Sequence, residues 1–167
     1  SSFLKKIQFT KTIIESAHEA IMVCDKNRNI TYINPSFTRM TGYSQTDLQD
    51  KTPNVLSSGR QSRDFYKTMW SDINEKGHWQ GEIWNKRKDG KEYLEWLSIT
   101  AIVDKNNELT HYTAFFTDIT EQYRAKEKLK YQDSYDGLTK VANKKSLFTF
   151  IERSVIQYLD HPECSTP

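Results

Sequence analysis

Between Trp79 and Thr117 three runs rich in β-branched and aromatic residues follow one another with only short turns between them. This stretch constrains the chain more than any other. Trp79–Lys86 leads through Arg87-Lys88-Asp89-Gly90 to Lys91–Val103, and Asp-Gly between two such runs signals a hairpin. Asp104–Asn107 forms a second turn into Leu109–Thr117. Three consecutive antiparallel strands are the economical solution. Strand alternation then puts Trp79, Gly81, Ile83 and Asn85 on one face, and Gln80, Glu82, Trp84 and Lys86 on the other. On the following strand Tyr93, Glu95, Leu97, Ile99 and Ala101 face inward, with Leu94, Trp96, Ser98 and Thr100 outward.

Upstream, AIMVCD and ITYIN read as two more strands around the polar turn Asp25–Asn29. Helical pieces fill the middle. Asn34-Pro35 opens one that Gly42 closes, Ser44–Leu48 reads as another with Ser44 as N-cap, and Ser62 caps Arg63–Glu75. Phe65, Met69 and Ile73 share one face of the last, which Gly77 ends. Phe3–Ala20 lacks Gly and Pro, and Ile7, Ile14 and Ile21 recur every seven residues, giving a helix with a thin apolar seam. After Asp118 the period returns to helix over Thr120–Gln132, and Asn143–Tyr158 is amphipathic. The tail from His161 reads as disordered. The expected class is α+β, a five-stranded antiparallel sheet with helices on one side.

The 167 residues suit one ordinary domain with appendages. A net charge of +2 gives no reason to expect nucleic acid, and the apolar runs are too short to span a bilayer. Cys24 and Cys164 have no metal-type spacing, and no leader pattern opens the sequence, so a reduced cytoplasmic setting is expected. No nucleophile with a base, paired acid/base carboxylates or phosphate loop is found, so this chain is not expected to be an enzyme.

NPSFTRMTGYSQTDL, WQGEIWNKRKDG, YLEWLSI and HYTAFFTDITE resemble a bacterial PAS sensory domain over Ile13–Glu121. Asp118-Ile119-Thr120 is similar to that family's D-I-T motif, which implies a relay of signal from the last strand into an output helix. DGLTKVANKKSL from Asp136 resembles the opening of a GGDEF domain, with Val141 and Lys144 in place of the usual Leu and Arg. The resemblance implies residues 1–16 as an N-terminal helix, 17–119 as the PAS domain, 120–135 as a signalling helix and 136–167 as the start of a GGDEF domain. It implies a cyclic di-GMP signalling parent, a diguanylate cyclase or a GGDEF–EAL protein, with the output domain in cis. A homodimer is the expected assembly, since such a cyclase joins two substrate-loaded subunits.

The resemblance also sorts ligand classes. Light-oxygen-voltage members need a cysteine beside the flavin, and Thr52–Leu56 has none. Haem-binding members use a histidine on the long helix, and Ser62–Lys76 has none. Flavin held without a covalent bond stays open, because WQGEIWNKRKDG is similar to W-S-G-V-L-V-N-R-R-K-D of nitrogen-fixation redox sensors. That likeness turns Trp79 and Asn85 toward a ligand. Against it, Met22 and Pro53 stand where those sensors carry Ser and Glu, and Phe116 stands where light sensors carry Gln. An empty pocket is equally open. Glu95 occupies the place of a flavin-gripping Asn, where a carboxylate suits an amine, a cation or a water network. The simpler expectation is that Glu95 pairs with a Lys or Arg at the cavity mouth and binds nothing. Trp84 and Trp96 face outward together, and with Ile7 and Ile14 of the N-terminal helix they make a candidate interface.

Overall fold

A computed structural model describes residues 2–130. The element order is α1 (Ser2–Ser16), β1 (Ala20–Asp25), β2 (Ile30–Ile33), α2 (Pro35–Thr41), a single 3₁₀ turn (Pro53–Leu56), α3 (Arg63–Lys76), β3 (His78–Lys86), β4 (Glu92–Val103) and β5 (Leu109–Asp118). The strands form one antiparallel sheet in the order β2-β1-β5-β4-β3. Residues 120–130 are helical. From Gln122 onward the chain belongs to a second unit, and the amphipathic segment Asn143–Tyr158, the GGDEF-like stretch and the tail lie outside the described residues.

The hairpins β1–β2, β3–β4 and β4–β5 share one turn geometry. In each, the first residue donates its N–H to the carbonyl four positions on, as Asp25 to Asn29, Arg87 to Lys91 and Asp104 to Glu108 do at 2.9 Å. The fourth residue of each turn is left-handed: Arg28 (φ 69), Gly90 (φ 87) and Asn107 (φ 62). Glycine and asparagine suit that conformation. Arginine does not, and its presence at Arg28 needs a separate reason.

Helix ends follow the expected chemistry. Asn34 caps α2 by accepting from Phe37 N–H at 3.1 Å, Ser62 caps α3 through Phe65 N–H, and Gly42 and Gly77 close the two helices in left-handed conformation. Met69 and Ile73 of α3 are buried against the inner sheet face, with Phe65 packed beside them. Two helical expectations fail. Ser44–Leu48 is a run of turns: the Ser44 hydroxyl accepts from Asp47 N–H and the Asp47 carboxylate from Ser44 N–H, a capping box with no helix after it. The N-terminal helix stops at Ser16, because Ala20–Asp25 pairs with both β2 and β5, and that pairing removes Ile21 from the heptad seam. Every side chain of α1 except the half-buried Ile14 is exposed.

Candidate functional site

The inner face of the sheet does not close completely against its helices. Between them lies a cavity of about 510 Å³. Its walls are mostly apolar, with Met22, Leu56, Met69, Ile83, Leu97 and Phe116 among them. Exposed Asn27, Thr52 and Asn54 mark where it meets solvent. This is a volume and a lining of the kind that hold small molecules.

Aromatic rings close the sides. Trp70 of α3 meets Tyr112 of β5 edge to face at 5.3 Å, and Phe116 meets Phe37 of α2 in the same way at 5.4 Å. The Arg28 guanidinium lies 3.5 Å from the centre of the Trp70 ring. That stacking, worth about 0.5–2 kcal/mol, accounts for an arginine in a left-handed turn position: the turn places its side chain across the tryptophan. Cys24 also lines the cavity, and burial together with the charge of Asp25 pushes its thiol up to about 12, so it acts as an apolar wall atom.

The polar part is confined to one end of the central strands. Asn85 (β3) stands directly opposite Tyr93 (β4), and Glu95 (β4) directly opposite Asp118 (β5). Glu95 is 1% exposed and lines the cavity. One of its oxygens accepts from the Asn85 amide, and the other has no partner. Burial pushes its carboxyl up to about 8, opposed by the Asn85 hydrogen bond and reinforced by the charge of Asp118. The Tyr93 hydroxyl beside it is also buried without a partner.

Asp118, unlike Glu95, has a cation. Arg87, just past β3, lies over the Tyr93 ring, donates to Met40 C=O and pairs with Asp118 at 2.5 Å. Burial raises the Asp118 carboxyl, but hydrogen bonds from Arg87 and Thr120 outweigh it and hold the group below its ordinary value. Asp118 also accepts from the backbone N–H and hydroxyl of Thr120. Thr120 in turn accepts from Leu94 N–H at 2.9 Å, while Ile119 N–H donates to Leu94 C=O. The start of the helix over 120–130 is thereby laced to the beginning of β4.

Of the sequence candidates, the structure brings Met22, Asn85, Glu95 and Phe116 into one cavity wall. Trp79 is not among the lining residues. Its indole lies over Gly81, where an added Cβ would come within 2.7 Å of the ring, and packs edge-on against Phe65 at 5.9 Å. The absent side chain at Gly81 lets the ring lie along its own strand instead of entering the pocket. Glu95 does not pair with Lys or Arg: it is fully buried, takes the Asn85 amide, and the Arg87 guanidinium is on Asp118. Leu94, although on the outer face, is 2% exposed at the point where Ile119 and Thr120 cross it. Trp84 does face outward, with the Arg60 guanidinium 4.0 Å from its ring centre, and Trp96 is 45% exposed. Trp70 and Arg28, the pair at the rim, were not singled out as site residues. Only a cavity beside Trp70 distinguishes it from a core tryptophan.

The PAS domain family model matches residues 18–121. This chain belongs to the PAS domain family. Its PAS domain is 37% identical over 119 residues to a nitrogen fixation regulatory protein of Klebsiella pneumoniae, covering 71% of this chain and 24% of that protein. It is 27% identical over 143 residues to the bacterioopsin transcriptional activator of Halobacterium salinarum, covering 85% of this chain and 21% of that one. The chain thus spans about a quarter of the length of these relatives. Among solved structures, an RNA-binding light-oxygen-voltage receptor superposes with a TM-score of 0.69 at 22% identity, over 77% of this chain and 37% of that one. A PAS domain from Colwellia psychrerythraea gives 0.65 at 22% identity, over 70% and 98%. At that identity the likeness concerns the fold. The PAS assignment places residues 18–121 among the PAS sensory domains found in signalling and regulatory proteins. Among the described residues no helix is long and apolar enough to cross a membrane, and no cluster of His, Cys, Asp and Glu could hold a metal ion.

Proposed function

We propose that this PAS domain is a sensory module that reads a small occupant of its inner cavity and regulates a C-terminal cyclic di-GMP output domain of the GGDEF type through the helix beginning at residue 120. The observation that carries the reading is the juxtaposition of cavity and exit. Glu95 lines the cavity, and its cross-strand partner Asp118, which opens the exit segment, is paired with Arg87. An occupant that changes the charge or orientation of Glu95 changes the field at Asp118. Asp118 holds Thr120, so the perturbation reaches the first turn of the output helix. The DGLTKVANKKSL resemblance supplies the output class, and the kinship with regulatory proteins agrees with a sensor placed ahead of an effector.

Two outcomes test this. Native mass spectrometry and an absorption spectrum of the purified chain should reveal a bound small molecule, and flavin or haem bands would identify a cofactor directly. In the full-length protein, filling the cavity with Ala114→Leu should fix cyclic di-GMP synthesis at one level, insensitive to conditions that alter the unfilled protein. Equal responsiveness of the filled and unfilled proteins would sink the sensory reading. A ligand-free dimerisation module is then the explanation, and one observation favours it: Phe3, Ile7, Phe9 and Ile13 of α1 are all at least half exposed, as on a helix surface suited to a second chain.

A further inference from the structure

The polar end of the cavity is one positive charge short. Glu95 and Asp118 face each other across β4 and β5, and like charges directly opposite in a sheet repel. Arg87 neutralises one of them and is committed to Asp118 at 2.5 Å, with its other nitrogen on Met40 C=O. Glu95 receives only the Asn85 amide, and its second oxygen is buried with no donor. Among the described residues no lysine lines the cavity. The one lining cation among those residues, Arg28, is stacked on Trp70 beside the exposed rim residues. A buried carboxyl in this position must hold a proton or find a cation from outside the protein.

The rest of the lining says what kind of cation. Trp70, Tyr66, Tyr112 and Phe116 present ring surface to the same space, and aromatic rings attract organic ammonium groups while excluding hydrated metal ions. A volume of about 510 Å³ has room for a bicyclic body with a short side arm. An anionic head would meet the Glu95 carboxyl at the polar end.

Resting on the sensory reading above, we propose that the occupant is an organic amine with a flat apolar body, its ammonium donating to Glu95 and its body against Trp70 and Phe116. The ammonium supplies the missing charge, so Glu95 gives up its proton on binding and the Asn85 amide keeps its acceptor. The charged groups facing Glu95 are Asp118 on β5 and Arg87 past β3, with Tyr93 on its own strand and Asn85 on β3 as polar neighbours. Of these, Glu95 is the group whose charge state the ligand would set, because Asp118 and Arg87 neutralise each other.

Three probes of similar shape and different charge test this on the whole chain: tryptamine, indole-3-acetate and neutral 3-methylindole, by isothermal titration calorimetry near neutral pH. Tryptamine should bind at least tenfold tighter than indole-3-acetate and tighter than 3-methylindole. Its apparent enthalpy should vary with buffer ionisation enthalpy as a proton is released. Glu95→Gln should cut the preference for tryptamine to under threefold and abolish the buffer dependence. Ala114→Leu keeps Glu95 intact and should remove binding of all three, with folding of both variants checked by near-ultraviolet circular dichroism. The proposal is overturned if indole-3-acetate binds as well as tryptamine, if Glu95→Gln keeps the preference, or if none of the probes binds. A flavin found in the purified protein would overturn it too, while leaving the sensory reading in place. Loss of that reading shows separately, as an output indifferent to cavity filling.

Discussion

Asn34 shows how much one buried side chain can organise. Its oxygen accepts from Ile21 N–H in β1 and Phe37 N–H in α2, and its amide nitrogen donates to Ile14 C=O in α1 and to Glu19 C=O, the last two both at 3.0 Å. Asn34→Asp keeps the acceptor and loses the donors, so it should preserve the α2 cap while releasing the end of α1. Asn34→Ala removes both functions and should cost about 2–4 kcal/mol, a lost cap plus buried groups left unpaired. Urea unfolding of the two variants checks the difference, and equal destabilisation would contradict it. Glu95 gives a pH signature. Its folded value is raised from 4.5 to about 8, so below that window both states carry the proton and nothing is lost. As pH rises through it the unfolded chain ionises freely while the folded one resists, and stability falls. Glu95→Gln should therefore gain on the native protein between about pH 5 and about pH 8.5, read from urea midpoints at each. Parallel curves would show that Glu95 already has a partner. Asp118 behaves oppositely, since its lowered value gives stability that is lost only in acid.

At the scale of elements, the three hairpin turns share a backbone geometry and place different residues at the left-handed position. Gly90 has no neighbour within 4 Å of where a Cβ would sit, so Gly90→Ala should cost about 1 kcal/mol of backbone strain alone. Arg28→Gly removes similar strain but also removes the stack on Trp70, and the two effects of about 1 kcal/mol should nearly cancel. A clear gain in stability for Arg28→Gly would mean that the stack contributes nothing. The turns were legible because their Asp residues and Asp-Gly pair are local chemistry. The orientation of Trp79 was not, because alternation gives the face of a strand but not where a large ring comes to rest on it. That depended on Gly81, two residues along, and on Phe65 from a different element.

On the whole molecule, the outer sheet face leaves Trp96, Ile102 and Phe115 at 40–45% exposure, and α1 buries no side chain completely. If this face and α1 meet a second copy of the chain, the protein should sediment as a dimer. Phe115→Glu, on the exposed face and away from the cavity, should then shift it to monomer without lowering its melting temperature. A dimer unaffected by Phe115→Glu would place the contact elsewhere.

The sequence by itself determined the strands, their faces, the helix caps and the family, because each is written in residues near one another and in a period that one face of a sheet or helix imposes. Met22, Asn85, Glu95 and Phe116 could be turned inward on that basis alone. Only the tertiary structure decided what they meet there. Glu95 faces Asp118 because β5 lies beside β4, and the nearby Arg87 is paired with Asp118 and not with Glu95. Trp70 joins the site because α3 stands off the sheet by the width of a cavity. Charge balance and empty volume are sums over elements distant in sequence, so no local pattern can carry them.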